Sequence, residues 1–552
     1  MKLVIIEAIG KIKTVQDAAR QIWGRDTQVL ATGGYIWTFP NESIGIDANT
    51  LRPNADVQTT KGKFFEHAVS MTIGAYKDQL DEVILMTDPD REGEGIAAQA
   101  LGIVHKYHSK VSSSRIYAHE LSVDGIREAL HAPGLHQGIL EAQTARRVLD
   151  RLLPLAAAHQ LQRGGDFIGL GRVQVAATRV VQDKSSHWKR FLLEGMWKTP
   201  KGRFYVREYD EKEESSKAKQ QALKNAVLDD YSVQIKTLRI PPPPPFSGQA
   251  LLAHVLDSRP EQTMAALQSA YMSGRISYPR TDQAVLGPNA TRTVGTLVQN
   301  LHLGSRLRER WWHTDETGDA NTSPVLGAHP ALHPTLKWHP SPSKPQDNQE
   351  RIETEVAARA MASLMTDAVV EREFVAVFTE SGDWFHAVRD TVIEPGWSTI
   401  YERLGLQNPL KPKPALQAGL PRIIEQLPTP THVVEWMNDE EIGRPATLAP
   451  VPNRLQELNL LSGACVTTRY ADSLLKDLEK TMLPYTRPAF SRFMEGAVSS
   501  LVENPQKYNA IVRSVLVEAG TDMASLPTAM STARPAALEE ATWTAAPFDI
   551  GL

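Results

Sequence analysis

The sequence predicts a multidomain α/β protein, in which one mixed domain is followed by alternating helical and β-rich segments. Three observations lead to that expectation. The chain has 552 residues, more than one hydrophobic core ordinarily holds, so about three to five subdomains are expected. Residues 1–150 alternate short apolar strands with amphipathic helical stretches. After them the order runs helical, β-rich, helical, β-rich, helical, the pattern of a chain that goes out through β segments to a distal helical domain and returns.

The elements follow in order. "KLVII" (2–6) reads as a buried strand, followed by a helix through "KIKTVQDAARQIW". "QVLAT" (28–32) is a second strand, ending at Gly33-Gly34. "EVILMT" (82–87) is a third, followed by an acidic turn and then the helix "GIAAQALGIVHKY". "RIYA" (115–118) is a fourth, before "SVDGIREALH", where Ser122 is the expected N-cap. Such alternation argues for a mainly parallel sheet covered on both faces. Chemistry in such sheets gathers at the carboxyl ends of the strands. Glu7 follows the first strand and Asp88 the third, so two acidic positions are expected at one edge.

Residues 137–185 read as helices, with a break at Pro154. Residues 190–240 read as strands around the charged insert "DEKEESSKAKQQALKNA". Pro241–Pro245 form a stiff extended spacer. Residues 246–370 are helical, with a polar loop around 313–323. Strands return over 373–430 and helices over 431–515. From Gly520 the chain is rich in Ala, Thr, Ser and Pro, a composition expected of a mobile tail.

Composition narrows the function classes. Hydrophobic residues make up 41% and charged residues 22%, as in soluble globular proteins. No apolar run approaches the roughly 18–20 residues of a membrane span. The N-terminal apolar run is interrupted at Glu7 and shows no signal-peptide cleavage pattern. A single cysteine, Cys465, rules out an intrachain disulfide framework and cysteine-based zinc ribbons. The expected compartment is the cytoplasm, with no membrane partner. A net charge of −4 argues against a generic nucleic-acid coat but says little about a local groove. Between Arg146 and Arg190 lie Arg146, Arg147, Arg151, Arg163, Arg172, Arg179, Lys184, Lys189 and Arg190, against few acids. That stripe is either phosphate-facing or a set of solvated helix faces.

"MTDPDREGEG" (86–95) crowds Asp88, Asp90, Glu92 and Glu94 into seven positions. Carboxylates this close raise one another's pKa. Either they splay into water or a cation sits among them. Asp88-x-Asp90-x-Glu92 offers hard oxygen ligands suited to Mg²⁺, and Glu7 would complete the cluster. Gly93 and Gly95 permit a tight backbone turn, which favours a site. "GKIKT" (10–14) lacks phosphate-loop spacing, because Ile5 stands where the first glycine belongs; no nucleotide is expected.

"LVIIEAIGKIKTV" followed by "TDPDREGEGIA" resembles the Toprim domain of type IA DNA topoisomerases, which cut one DNA strand through a tyrosine. "GRISYPRTDQ" (274–283) is similar to that family's tyrosine segment. Further similar stretches are "RIYAHELSVDGIREAL", "AQTARRVLDRLL", "GRVQVAATRVV", "AHPALHPT" and "EEIGRPATLAPVPNRLQEL". The resemblance spans roughly residues 1–510. It implies a torus, built from a Toprim α/β domain (1–150), a helical DNA-binding gate domain (151–190 and 431–515), a β-rich arch (191–245 and 371–430), a helical domain carrying the active tyrosine (246–370) and a flexible tail (516–552).

By that resemblance Tyr278 is the nucleophile of a 5′-phosphotyrosyl intermediate. Arg280 and Lys11 stabilise phosphate charge, Glu7 moves a proton at the released 3′-hydroxyl, and His329 lies near the tyrosine. Glu7, Asp88, Asp90 and Glu92 would hold Mg²⁺. Arg147, Asp150, Arg172 and Gln174 would lie along single-stranded DNA, the implied partner of a monomeric enzyme. The chemistry is self-consistent: a phosphotyrosyl link exchanges one phosphodiester for another, so resealing needs no ATP. A phenol of pKa near ~10 needs its developing anion stabilised, and a guanidinium can do this while gripping phosphate oxygens.

The chain departs from the family pattern at Tyr35 (for His), Gly169 (for Ser), Gln283 (for Ser), Pro330 (for Glu) and His333 (for Arg), and the family's zinc-binding repeats are not found. Two rival readings are a Toprim nuclease or primase, using the same acids without a tyrosine, and a non-catalytic single-strand-binding descendant.

Overall fold

The structure, a computed structural model, describes residues 1–41, 43–54, 56–130, 135–161, 171–185, 190–226, 233–255, 259–281, 283–309, 330–341, 344–379, 384–411 and 418–522. The N-terminal unit contains β1 (Lys2–Ile6), α1 (Ile12–Trp23), β2 (Gln28–Ala31), β3 (Trp37–Thr38), β4 (Val57–Gln58), α2 (Thr60–Tyr76), β5 (Glu82–Leu85), α3 (Arg91–Tyr107), β6 (Ser112–Arg115) and α4 (Val123–Ala129). Strands β2-β1-β5-β6 form a parallel sheet in that order. Both faces are covered, as its unbroken apolar strands require. Leu3 and Ile5 pack with Phe65, Val69 and Ala100 on one side. Val4 and Ile6 pack on the other with Leu267, Tyr271, Ile276 and Tyr278 from the tyrosine-bearing segment. The tyrosine segment is therefore seated on the sheet.

Three local expectations are corrected. The fourth strand lies at Ser112–Arg115, ahead of the expected 115–118. It is an edge strand, where polar serines are tolerated. Ile116 and Ala118 owe their apolar character to burial against the tyrosine segment. Helix α3 begins at Arg91 rather than Gly95, so Glu92 and Glu94 sit in its first turn, where the helix dipole favours negative charge. Pro154 does not end a helix: α5 runs through it from Gln137 to Leu161. An interior proline costs roughly 3 kcal/mol or more. Burial of Leu152, Leu153 and Leu155, at about 1.5–3 kcal/mol each, offsets that.

Helix α5 also crosses residue 150, and its buried side joins the helical core made with α6 (Arg172–Ser185) and the C-terminal helices. The arch follows: β7 (Arg190–Thr199), β8 (Gly202–Asp210), α7 (Glu213–Asn225) and β9 (Val233–Ile240). The tyrosine-bearing segment then contributes α8 (Gly248–His254), α9 (Pro260–Met272), α10 (Pro288–Asn300) and α11 (Asn348–Ser363). The return path is β10 (Ala368–Phe378), β11 (Trp384–Glu394), α12 (Thr399–Arg403), β12 (Ala418–Gly419) and β13 (Arg422–Gln426). Outgoing and returning strands share one seven-stranded sheet, ordered β12-β7-β8-β11-β10-β9, with β13 also on β7. In it β9 pairs antiparallel with β10, from Ile240↔Ala368 to Val233↔Val375. The short α12 interrupts the expected strand region because Trp397, Ile400 and Tyr401 pack into the helical core around α10 and α11. The chain ends in α13 (Pro430–Asp439), α14 (Pro445–Leu448), α15 (Val451–Glu457), α16 (Arg469–Glu479), α17 (Pro488–Ser499) and α18 (Tyr508–Glu518). The polar loop around 313–323 and the tail beyond 522 lie outside the described residues. No described helix is long and apolar enough to cross a membrane.

Candidate active site between the sheet edge and the tyrosine segment

Neighbouring parallel strands β1 and β5 bring Glu7 and the acidic turn to one edge, as their spacing predicts. The turn is shaped by Gly93. A Cβ there would stand 2.0 Å from the Asp88 carbonyl oxygen. Asp90 is the N-cap of α3, its Oδ1 accepting the Gly93 amide at 2.8 Å.

Each crowded acid has its own answer to the repulsion. Asp88, 5% exposed, accepts from the buried ammonium of Lys11. That ammonium also lies 4.5 Å from the centre of the Tyr271 ring. Glu94 turns away from the edge into the interior. There it accepts from Arg115 Nε (3.1 Å), the Tyr117 hydroxyl (2.9 Å) and the His136 amide (2.6 Å). The Arg115 guanidinium also donates to the carbonyls of Leu85, Thr87, Asp88 and Ile116, so it clamps the backbone of the acidic turn from below. Glu92 faces Arg280 at 3.7 Å; burial and Asp90 raise its pKa against the pull of Arg280 and Arg146. Glu7 is answered by a proton. Burial first, then Asp88 and Asp90, push its carboxyl up to about 8, against the opposing charge of Lys11.

Tyr278 meets this edge from the opposite segment. Its amide donates to the His119 carbonyl at 2.9 Å, and its ring stands edge-on to Tyr271 with centroids 5.3 Å apart. The hydroxyl donates to Asp90 Oδ2 at 2.5 Å, with Arg280 Nη1 3.5 Å from the same oxygen. Burial, Asp90 and Asp88 hold the phenol well above its ordinary pKa, against Arg280. Burial opposes the charge on Arg280, but Tyr278, Asp90, Asp88 and Glu92 outweigh it and raise its pKa. The structure therefore brings together Tyr278, Arg280, Asp90 and Glu92, with Glu7, Lys11 and Asp88 behind them. His329 and Gly169 lie outside the described residues.

A groove of about 670 Å³ opens beside Asp90, Glu92 and Arg280, lined also by Tyr35, Phe39, Arg147, Asp150, Arg444 and Glu495. Arg147 stacks over Tyr35 (4.5 Å) and Phe39 (5.0 Å). Asp150 does not pair with Arg147; its partners are Arg146 (3.4 Å) and Arg172 (3.6 Å). Two residues expected along DNA do not line the groove. Arg172, 2% exposed, is bound to Ser491 and Glu495 of α17. Gln174 accepts the Gly171 amide at 2.6 Å, closing the start of α6. Much of the basic stripe is likewise paired: Arg179 with Glu479 and Lys184 with Asp439. Glu495 organises the remainder. Burial raises its pKa, but Arg146, Arg172, Arg444 and Arg91 bring it down to about 2.

Sequence reasoning missed Arg115 and Glu495, and it grouped Glu94 with the other acids of the turn without its inward orientation. An arginine heading the apolar run "RIYA" was the one signal for Arg115. Glu495 is adjacent to the site only in space.

Among the described residues, no three acids converge as a ligand set; Lys11 occupies Asp88 and Tyr278 occupies Asp90. The donor chemistry nonetheless fits a hard cation. Glu7 Oε2 is buried without a hydrogen-bond partner among the described residues, and its neighbours are the carboxylates of Asp88 and Asp90.

The chain is similar to known proteins over most of its length. The family described as DNA topoisomerase matches residues 135–513, and the Toprim domain matches residues 2–121. The chain is 24% identical to DNA topoisomerase 1 of Aquifex aeolicus, covering 93% of this chain and 97% of that protein. It is 25% identical to DNA topoisomerase 1 of Helicobacter pylori, covering 93% of this chain and 73% of that one. The solved structure of full-length topoisomerase I from Thermotoga maritima superposes with a TM-score of 0.67 at 20% identity, covering 94% of this chain and 89% of that chain.

Proposed function

The chain belongs to the DNA topoisomerase family, and we propose that it works as an ATP-independent type IA enzyme, cutting and rejoining one DNA strand through Tyr278. The observation that carries this reading is the Tyr278 hydroxyl lying 2.5 Å from Asp90, with Arg280 beside both. A nuclease or primase built on the same acids has no use for a buried phenol there, and a binding-only descendant has no use for the assembled set.

Single-stranded DNA enters the groove lined by Arg147, Arg280 and Arg444. The phenol oxygen attacks the phosphorus, its proton passing toward Asp90. The bond from phosphorus to the 3′-oxygen breaks as the 5′-phosphotyrosyl bond forms. Arg280 grips the non-bridging oxygens, and Lys11 adds positive charge behind Asp88. Glu7, whose pKa near 8 keeps it protonated at neutral pH without a cation, supplies the proton to the departing 3′-oxygen. Mg²⁺ held by Glu7, Asp88, Asp90 and Glu92 would add fixed positive charge beside the phosphate and orient the ends for rejoining.

The out-and-back sheet and the seat of the tyrosine segment on the α/β sheet support a closed ring that opens when this seat parts, so that another strand passes. The domain division given above serves that motion, with the protein acting as a cytoplasmic monomer that relaxes negative supercoils or separates linked strands. The test uses a 3′-labelled single-stranded oligonucleotide with Mg²⁺, denatured before electrophoresis, because the fragment that stays on the tyrosine is the one downstream of the break. Label left on protein by wild type, and lost in Tyr278→Phe with binding retained, is expected. An adduct that persists in Tyr278→Phe overturns the reading.

A further inference from the structure

The ring of His333 lies at the seam between the tyrosine segment and the α/β domain and is 1% exposed as a residue. Its backbone is tied to the residue before the nucleophile in both directions. Ser277 N donates to the His333 carbonyl at 3.0 Å, and His333 N donates to Ser277 Oγ at 3.1 Å. The ring reaches the other way. Nε2 lies 2.8 Å from Glu120 Oε1, and Nδ1 lies 2.8 Å from the Ala331 carbonyl oxygen. Glu120 adjoins His119, whose carbonyl receives the Tyr278 amide. Tyr278 is thus bracketed by two connections to residues 119–120, one from its own amide and one from the imidazole.

Both atoms that face the ring are acceptors. A neutral imidazole carries one N–H and can satisfy only one of them; the imidazolium carries two and satisfies both. Glu120 Oε2 accepts from Ser122 Oγ at 3.1 Å, which favours the ionised carboxylate opposite. We propose that His333 is a positioning residue, whose doubly protonated ring ties the tyrosine segment to Glu120, so that the two halves of the site part more readily as pH rises.

The charged groups acting on the ring are Glu120 and Glu128. Burial opposes the positive charge, but Glu120, the Ala331 carbonyl and Glu128 together outweigh it and hold the pKa above 6.5. The same pairing keeps Glu120 below its ordinary value despite burial. The sign follows. The tie is complete below pH 6.5 and is lost as pH rises through the elevated value. At this position the family pattern expects arginine, which does not titrate in this range; histidine makes the contact between the two segments reversible.

This inference rests on the proposed strand-passage reading, and its test is independent of catalysis. Hydrogen exchange of the 274–281 segment is followed by mass spectrometry in the full chain, without DNA or metal, from pH 6 to 9. Rates are corrected for the intrinsic pH dependence of exchange. Protection of this segment is expected to fall by roughly tenfold across the range, the equilibrium worth of one charge-assisted hydrogen bond. Beyond the decline contributed by Glu7, which all variants share, the fall should be absent in His333→Gln and in Glu120→Gln, the second variant covering the case in which the first fails to fold. The same fall in wild type and Glu120→Gln, or none in wild type, overturns the proposal. Absence of an adduct with wild type, or an adduct that persists in Tyr278→Phe, would instead refute the topoisomerase chemistry and leave the exchange result standing.

Discussion

The Tyr278 hydroxyl donates to Asp90 Oδ2 at 2.5 Å, while Oδ1 of the same carboxylate caps helix α3 through the Gly93 amide at 2.8 Å. One side chain therefore begins a helix and holds the nucleophile. The two duties are separable. Asp90→Asn keeps an acceptor for the cap, so thermal stability should stay within about 0.5 kcal/mol of wild type. Adduct formation on a single-stranded oligonucleotide should drop by roughly 100-fold, because the proton acceptor has lost its charge. Asp90→Ala should lose both, with a further cost of about 1 kcal/mol for the missing cap.

Glu7 predicts a stability profile. Its pKa rises from 4.5 to about 8 on folding, so between those values the folded chain binds more protons than the unfolded one. Stability contributed at this site is then present in full below pH 4.5 and declines until pH passes 8. In EDTA, the decline in melting temperature over that window should be shallower in Glu7→Gln, measured by scanning calorimetry. Equal slopes would contradict the burial of an uncompensated carboxyl.

Gly93→Ala tests the shape of the acidic turn. The added methyl would lie 2.0 Å from the Asp88 carbonyl oxygen, a backbone contact that cannot yield without moving the turn. Destabilisation of about 3 kcal/mol in chemical denaturation is expected, together with loss of adduct formation.

Arg115→Met leaves Glu94 buried without its guanidinium and removes the donor to two carbonyls of the acidic turn, those of Thr87 and Asp88. Breaking one partner of a buried ion pair typically costs roughly 3–5 kcal/mol. Denaturation midpoints should fall accordingly, and a change below about 1 kcal/mol would deny Arg115 the clamping role.

Arg147 offers a readout on binding. Replacing it by alanine should weaken single-stranded DNA binding. It should also reduce the slope of log K against log salt by about 0.7, the value of one phosphate contact on a single strand. Arg172→Ala should leave the slope unchanged, because its guanidinium is engaged with Ser491 and Glu495.

Much of this centre could be read before any coordinates, because its parts are local. The apolar runs 2–6 and 82–85 become adjacent strands, so residues just beyond them share an edge. The dense acidic turn and the Ser-Tyr-Pro-Arg segment are continuous in the chain. What escaped is set by packing between distant segments. Ile116 and Ala118 looked like strand because they are apolar, yet it is the tyrosine segment that buries them. Pro154 looked like a break because its local penalty is large, yet the helical core carries α5 through it. Arg172, which the family resemblance places along DNA, is held by Glu495, more than three hundred residues away, a partner that no local pattern announces.

The eight-residue pairing of β9 with β10 joins the outward and homeward legs of the chain below the nucleophile-bearing helices. Tension between the two parts of the chain is then shared by two covalent strands laced together, so that backbone pairing resists unravelling at the base of those helices. A single proteolytic nick in either leg would leave the other, with its lacing, to hold the nucleophile-bearing helices to the rest of the protein.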